Sequence, residues 1–419
     1  MRELNVYKNG RVYNNVMGEY VENIESEMYL PSLLSLGIET LRQYFKKETI
    51  IPLFRVLVLR PDESVESDIS EYVTGGSIDI NKQSGQTRNS SLSVFNFDGH
   101  WKYGARNTLY EGMKIRIDSG VVLNNVLYWS SQGIFLIKEP TFNGDASSQK
   151  IELSLCDKWG LWDGSVFGNT ELKTIIPVGV PINQVFNTIV HEDNNINPNT
   201  MWDTKDILFD MSCSGHDTYY TIRQDAGKQK SELMLDMSKT IAADISYDTN
   251  GYMHLRSNML DFKNSNYSPI WRFEEGDIDC TLPSLKYNKS KYYNKIITKG
   301  AILNGYQFTA TIENTNKKSI YNIYDTPVTP KVNSNSKLFS DQLCLEQCMY
   351  EMVQQSRGLM SASMSCAFLP FLDIDKMVYL HFPSIGLENQ EFVIDGISFN
   401  LGTDCKMSLK LTSNNEVVF

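Results

Sequence analysis

Basic charge is scarce in this chain. Lys and Arg number 39 against 50 Asp and Glu, a formal net charge of −11. No basic stripe alternates with aromatics, which argues against a phosphate-neutralising nucleic-acid surface. Long apolar runs are also missing. The most apolar stretch, "FRVLVL" at Phe54–Leu59, has only the length of a strand, so neither a signal peptide nor a transmembrane helix is read. Cysteines are few and odd in number, seven in 419 residues. That is no secreted disulfide framework; it reads as reduced, buried thiols in a protein that folds in a cytoplasm.

Catalytic signatures are equally thin. There is no Gly-x-Ser-x-Gly elbow, no phosphate-binding loop ending in Lys-Ser/Thr and no His-Glu-x-x-His. The five His (His100, His191, His216, His254 and His381) stand apart from one another. His216-Asp217 near Cys213 suggests a metal site, but adjacent residues rarely face one ion and no second ligand pair follows at metal spacing. Cys344 and Cys348 share a helix face, yet Cys348 lies on the apolar stripe and reads as core. The acidic run Glu274–Cys280 ("EEGDIDC") reads as a solvated turn. A glycosidase would need two carboxylates across a cleft, which closeness in sequence does not supply. The expectation is no enzyme, no metal and no cofactor.

What is abundant is Tyr, Phe, Asn and Ser, a mix that favours strands and turns. The chain also says one thing twice. "FLIKEPTF" (Phe135–Phe142) aligns without a gap on "FVIDGISF" (Phe392–Phe399). Upstream, "LYEGMKIRID" (Leu109–Asp118) aligns on "LDIDKMVYLH" (Leu372–His381), placing Ile115 on Val378 and Ile117 on Leu380. Downstream, "KIELSLCD" (Lys150–Asp157) aligns on "KMSLKLTS" (Lys406–Ser413), placing Leu153 on Leu409 and Leu155 on Leu411. Each block alternates apolar and polar at period two, a strand with one face in a core. Two alternating hairpins can always be overlaid; three ungapped blocks in one order point to duplication. Earlier strands join each copy: "FRVLVL", "GSIDIN" and "SLSVFNF" before the first, "NKIITKG", "QFTATIEN" and "SASMSCAF" before the second.

The predicted fold is mainly β: two similar small antiparallel β-barrels from an internal duplication, plus an inserted α+β domain. The boundaries are an N-terminal arm with an amphipathic helix (1–50), the first barrel (51–165), the insert (166–290) and the second barrel (291–419) with a helix at 340–357. In the insert, Ile182, Val185, Phe186, Ile189 and Val190 form one helical face after Pro181. A second helix follows through Leu233, Met237 and Ile241, then a hairpin turning at Asn250-Gly251. The 340–357 helix opens on Ser340, an N-cap type, and stops at Gly358. In the arm, residues 30–48 read as a helix through Leu34, Ile38, Leu41 and Phe45, with Gly37 weakening it. Those four are the candidate partner-binding residues; packing on their own chain is the equal alternative.

These segments in this order resemble the central hub proteins of bacteriophage tails and baseplates, found also in phage-like contractile particles and at the N-terminus of tail-associated lysins. The resemblance spans about 52–413 and rests on the ordered set, not on one motif; the first fifty residues and Glu274–Cys280 fall outside it. It implies a homotrimer in which three chains of two barrels make a ring of six alike units. Such a ring meets a sixfold tail tube protein on one side and a threefold spike, tip or tail lysin on the other, with a tape measure protein as a further candidate partner. Genome DNA would pass through the lumen without specific binding, helped by an acidic lining. No membrane insertion by this chain is implied, and the location would be the virion, assembled in the host bacterial cytoplasm. Two other readings stay open: a tail-tip cell-wall hydrolase or carbohydrate-binding protein, and a sixfold tail-end ring protein. The expectation is that the chain, ending a few residues past its last predicted strand, carries no lytic domain; a single barrel per chain would favour the ring protein, and the duplication argues against it.

Overall fold

The computed structural model describes residues 6–8, 11–14, 19–21, 26–29, 37–47, 52–96, 99–102, 109–123, 126–145, 148–191, 203–257, 269–277, 280–281, 283–287, 292–317, 319, 322–357, 360–402 and 406–413. The chain is mainly β, and one large sheet carries most of its strands.

A first set of strands comprises β1 (Pro52–Leu59), β2 (Val65–Asp68), β3 (Val73–Asn81), β4 (Arg88–Phe95), β5 (Lys114–Leu123), β6 (Val126–Asp145) and β7 (Ser148–Asp157). A second set comprises β8 (Trp271–Glu274), β9 (Ser284–Tyr287), β10 (Met360–Ala367), β11 (Met377–Phe382), β12 (Leu387–Asn400) and β13 (Lys406–Ser413). The sheet runs β9-β10-β13-β12-β3-β4-β7-β6-β5-β1-β2, with β11 beside β12 and β8 beside β11.

The two sets follow the same order, β4-β7-β6-β5 and β10-β13-β12-β11. Their registers agree too. Phe135 lies across from Ile115, and Phe392 across from Val378. Ile137 pairs with Leu155, and Ile394 with Leu411. In both hairpins the ladder then slips by one residue, between Ile137 and Glu139 and between Ile394 and Gly396. A bulge re-aims a strand and alters its twist, so a shared bulge is a shared bend. Ile115, Phe135, Val378 and Phe392 are all fully buried.

The structure corrects the expectation of two separate barrels. Among the described strands neither set closes on itself; β12 pairs with β3, so the two sets form one sheet. One continuous core, from Val56 and Ile117 to Phe392 and Leu411, lies beneath both. Alternation specifies which face of a strand is buried but not which strand lies beside it.

A second correction concerns the segments at 294–300 and 307–314. They are strands, Lys295–Leu303 and Tyr306–Glu313, but they pair with each other, and Lys295–Leu303 with Pro330–Ser334, in a sheet of their own. The strands that complete the second set are β8 and β9, each four residues long. The separate sheet is covered by a helix, and Ile296, Ile312, Cys348 and Met352 pack between them.

The described helices of ten residues or more are α1 (Ile38–Lys47), α2 (Ile182–His191), α3 (Lys230–Thr240) and α4 (Asp341–Arg357). α1 starts just after Gly37, whose φ of +87° suits glycine; the part of the expected 30–48 helix before Gly37 lies outside the described residues. In α2 the five residues read from the periodicity are the buried ones. Ser340 caps α4 by accepting from the Leu343 N–H at 3.1 Å. Gly300 lets α4 approach: a Cβ there would stand 2.5 Å from the Leu338 carbonyl oxygen and 2.8 Å from Cys344 Sγ. The insert hairpin forms as expected, Asp244–Tyr247 against Met253–Arg256. Before all of these, Ser26–Tyr29 adds to the large sheet parallel to β6. No described helix is long and apolar enough to cross a membrane.

Candidate functional site

The stripe of the arm helix, expected to dock either on a partner or on its own chain, packs at Leu41 and Phe45 against its own chain. Leu41 is 1 % exposed. The Phe45 ring stands edge-on to Trp271 and to Phe371, each at 5.7 Å. Ile38 is half-buried at the helix start, and Leu34 lies outside the described residues.

The acidic run is not a free solvated turn. Arg42 Nη2 lies 2.6 Å from Glu274 Oε2 and 3.3 Å from Asp277 Oδ2, and Lys46 Nζ lies 2.9 Å from Asp277 Oδ1. The hydrogen bond from Arg42 holds the Glu274 carboxyl below its ordinary range against the opposing effect of burial. The run is therefore a clasp that ties α1 to β8. The signal was present as a basic pair, Arg42 and Lys46, one turn apart on a helix.

The suspected chemistry does not come together. Cys213 is buried in the core of the insert. His216 instead approaches Tyr219 Oη at 2.7 Å and Glu346 at 3.6 Å. Cys348 Sγ lies 3.1 Å from Thr298 Oγ1 under α4, and burial first, then Asp341, pushes the Cys344 thiol up to about 11. Among the described residues no three His, Cys, Asp or Glu side chains stand together as metal ligands would.

Two polar clusters join the pieces of the molecule. In the first, Lys158 is fully buried between Glu63 and Asp203, 2.6 Å from each, and donates to the Gly251 carbonyl at 2.9 Å. Lys114 reaches Glu63 at 2.9 Å, and Tyr247 Oη donates to Asp203 at 2.6 Å. Burial alone would raise the Glu63 pKa, but Lys158 and Lys114 hold it below its ordinary value. The cluster ties the β1–β2 turn to the insert.

In the second, a cleft of about 460 Å³ is lined by Asp248, His254, Arg256, Asp373 and Asp375, among others. Its carboxylates are engaged. Asp248 lies 3.2 Å from His254, Arg88 holds Asp373, and Lys82 pairs with Asp375. A hydrolytic acid and base would have to be released from these pairs first.

An apolar tip stands on the separate sheet at 295–334. Ile302, Leu303 and Tyr306 flank the Asn304-Gly305 turn, and each is more than half exposed. Both turn residues have positive φ, as a tight hairpin requires. Sequence reading passed over this turn, although Asn-Gly between alternating runs is a strong hairpin signal.

With this geometry in view, similar proteins can be compared. No family model matches the chain, and no curated protein matches it either. Solved structures do. A tail protein from Neisseria meningitidis MC58 superposes with a TM-score of 0.57 at 10 % identity, covering 86 % of this chain and 97 % of the other. The chain has the fold of phage tail proteins. The 43 kDa tail protein of prophage MuSo2 from Shewanella oneidensis is similar as well: TM-score 0.56, 11 % identity, 87 % of this chain and 98 % of that one. A chain of the Francisella PdpA–VgrG complex, in its lidded form, matches at 0.50 with 12 % identity, over 91 % of this chain and 56 % of its own. This chain thus spans just over half the length of that larger relative in fold, and nearly all of the two tail proteins.

Proposed function

We propose that this protein is a structural virion component, the trimeric hub at the distal end of a phage tail. The observation that carries the reading is the repeated unit. β4-β7-β6-β5 and β10-β13-β12-β11 share order, register and bulge, within a chain that has the fold of phage tail proteins. Two copies of a strand unit per chain let three chains present six similar positions. One face then suits a sixfold tube protein while the other keeps threefold symmetry for a spike, tip or tail lysin. The barrels expected from sequence would be completed in this reading by strands of neighbouring chains. Half-buried Ile38, at the start of α1, and Leu34, outside the described residues, are the contact candidates of the arm in this reading. The protein would act in the virion and carry no catalytic step of its own, a reading supported by its polar cleft, where Asp373 and Asp375 sit in ion pairs, Asp248 lies against His254 and Asp210 accepts from the Ser257 N–H.

Native mass spectrometry of the purified chain, alone and with tail tube protein, tests this. A species near three times 47.8 kDa is expected. A hexamer would favour the sixfold ring reading, and a monomer in both conditions would overturn the hub. Lysis of host peptidoglycan in a zymogram would overturn the non-enzymatic part.

A further inference from the structure

The sheet order sets the two units in series, β9-β10-β13-β12 followed by β3-β4-β7-β6. Inside the chain β12 passes the sheet on to β3. Their register is Asn400↔Ser77, Phe399↔Ile78, Ser398↔Asp79 and Ile397↔Ile80. Each partner in this junction has a counterpart in the other unit. β6 corresponds to β12, so Pro140, Thr141, Phe142 and Asn143 stand where Ile397, Ser398, Phe399 and Asn400 do.

β9 corresponds to β3. Leu92 and Met364 occupy the same step, across from Leu153 and Leu409. Counting from there, Ser77 faces Ser91 as Ser284 faces Ser363, and Ile78 faces Ser90 as Leu285 faces Ala362. The molecule therefore holds one copy of the junction made and both halves of a second copy at opposite ends of the series.

Both halves lie at sheet edges. β9 ends the strand order, with β10 alone beside it among the described strands. The β5 ladder on β6 ends at Leu136, and β6 runs on to Asp145 with β7 on its other side. Leu285 and Phe142 are half-buried and lean on the main core, whereas their counterparts Ile78 and Phe399 are only 0 % and 5 % exposed. Tyr287 is 66 % exposed. Among the described strands these edges stay unpaired, and an unpaired strand edge that carries apolar side chains is a surface that sheets rarely leave to solvent.

We propose that β9 of one copy of this chain adds antiparallel to the end of β6 in the next copy, in the register that β3 and β12 use within the chain. The pairs are Ser284↔Asn143, Leu285↔Phe142, Lys286↔Thr141 and Tyr287↔Pro140. Leu285 then covers Phe142, and Tyr287 lies over Pro140. Lys286 comes diagonally across from Glu139, an opposite-charge neighbour on the same face. Pro140 has no N–H, so this ladder lacks the donor that Ile397 supplies in the internal one. The contact is head-to-tail, and a head-to-tail contact closes into a ring when its rotation permits. The proposal rests on the ring of alike units proposed above and specifies the edge through which its chains join.

The test uses the full chain with Ser284→Cys and Asn143→Cys, oxidised mildly, beside each single variant. Both positions are exposed, and directly opposed Cβ atoms of an antiparallel pair come within disulfide reach. The expected result is a trimer by native mass and covalent dimer and trimer under denaturing conditions, in the double variant only. A native trimer without that cross-link would overturn this edge and leave the ring reading standing. A monomer at every concentration, alone and with tail tube protein, would overturn both.

Discussion

Arg88 Nη2 lies 2.6 and 2.8 Å from the two carboxylate oxygens of Asp373, while Nη1 donates to the Tyr247 carbonyl at 2.6 Å. One buried guanidinium thereby touches the first strand set, the loop that opens the last part of the second, and the insert. Arg88→Met should cost about 3 kcal/mol, the low end for a broken buried pair, because Asp373 keeps some contact with water. Urea unfolding measures the loss. Arg88→Met with Asp373→Leu should recover part of it.

The Lys158 cluster is drier. Glu63, Lys158 and Asp203 are each at most 5 % exposed in their side chains. Lys158→Met leaves two carboxylates facing one another, and a loss of about 3–5 kcal/mol is expected in the unfolding midpoint.

The same cluster makes a prediction for acid. The Glu63 pKa is lowered in the folded chain from an ordinary 4.5. Its contribution to stability is therefore present above about that value and lost as pH falls through the depressed one. The unfolding midpoint of the native chain should fall on that acid limb, and more steeply than that of a Glu63→Gln variant.

The clasp on α1 is testable separately. Arg42→Met removes the contacts to Glu274 and Asp277 but leaves Leu41 and Phe45 in place. Amide hydrogen exchange across 38–47 should speed up by about tenfold or more, as for the loss of one charge-assisted contact, while β6 and β12 keep their protection. Unchanged exchange in α1 would show that the aromatic contacts alone hold it.

Gly300 and Gly305 should respond differently to alanine. Gly300→Ala forces a methyl against Leu338 and Cys344, an overpacking loss of about 1–3 kcal/mol. Gly305 has φ +83° and nothing within 4 Å of a Cβ, so alanine there meets only backbone strain of about 1 kcal/mol. Thermal melting of the two variants should rank them in that order.

Much was legible in the sequence because it is carried by local periodicity. The period-two runs ending at Phe142 and Phe399 mark the strands, and Ile182 to Val190 mark α2. The three aligned blocks anticipate even the register, since a one-residue slip would turn Leu155 and Leu411 out of the core. The acidic run and the arm helix were each visible alone, but their union was not: Arg42 and Glu274 are 232 positions apart, and no local pattern names a partner at that range.

The sequence by itself determined that this chain repeats one strand unit twice and which faces of those strands are apolar. Only the tertiary structure decided that the two units share a single sheet, that 295–313 pairs elsewhere, and that β12 meets β3. Side-chain alternation settles which face of a strand turns inward. The neighbour on each edge is chosen by backbone hydrogen bonds, which every residue except proline offers alike.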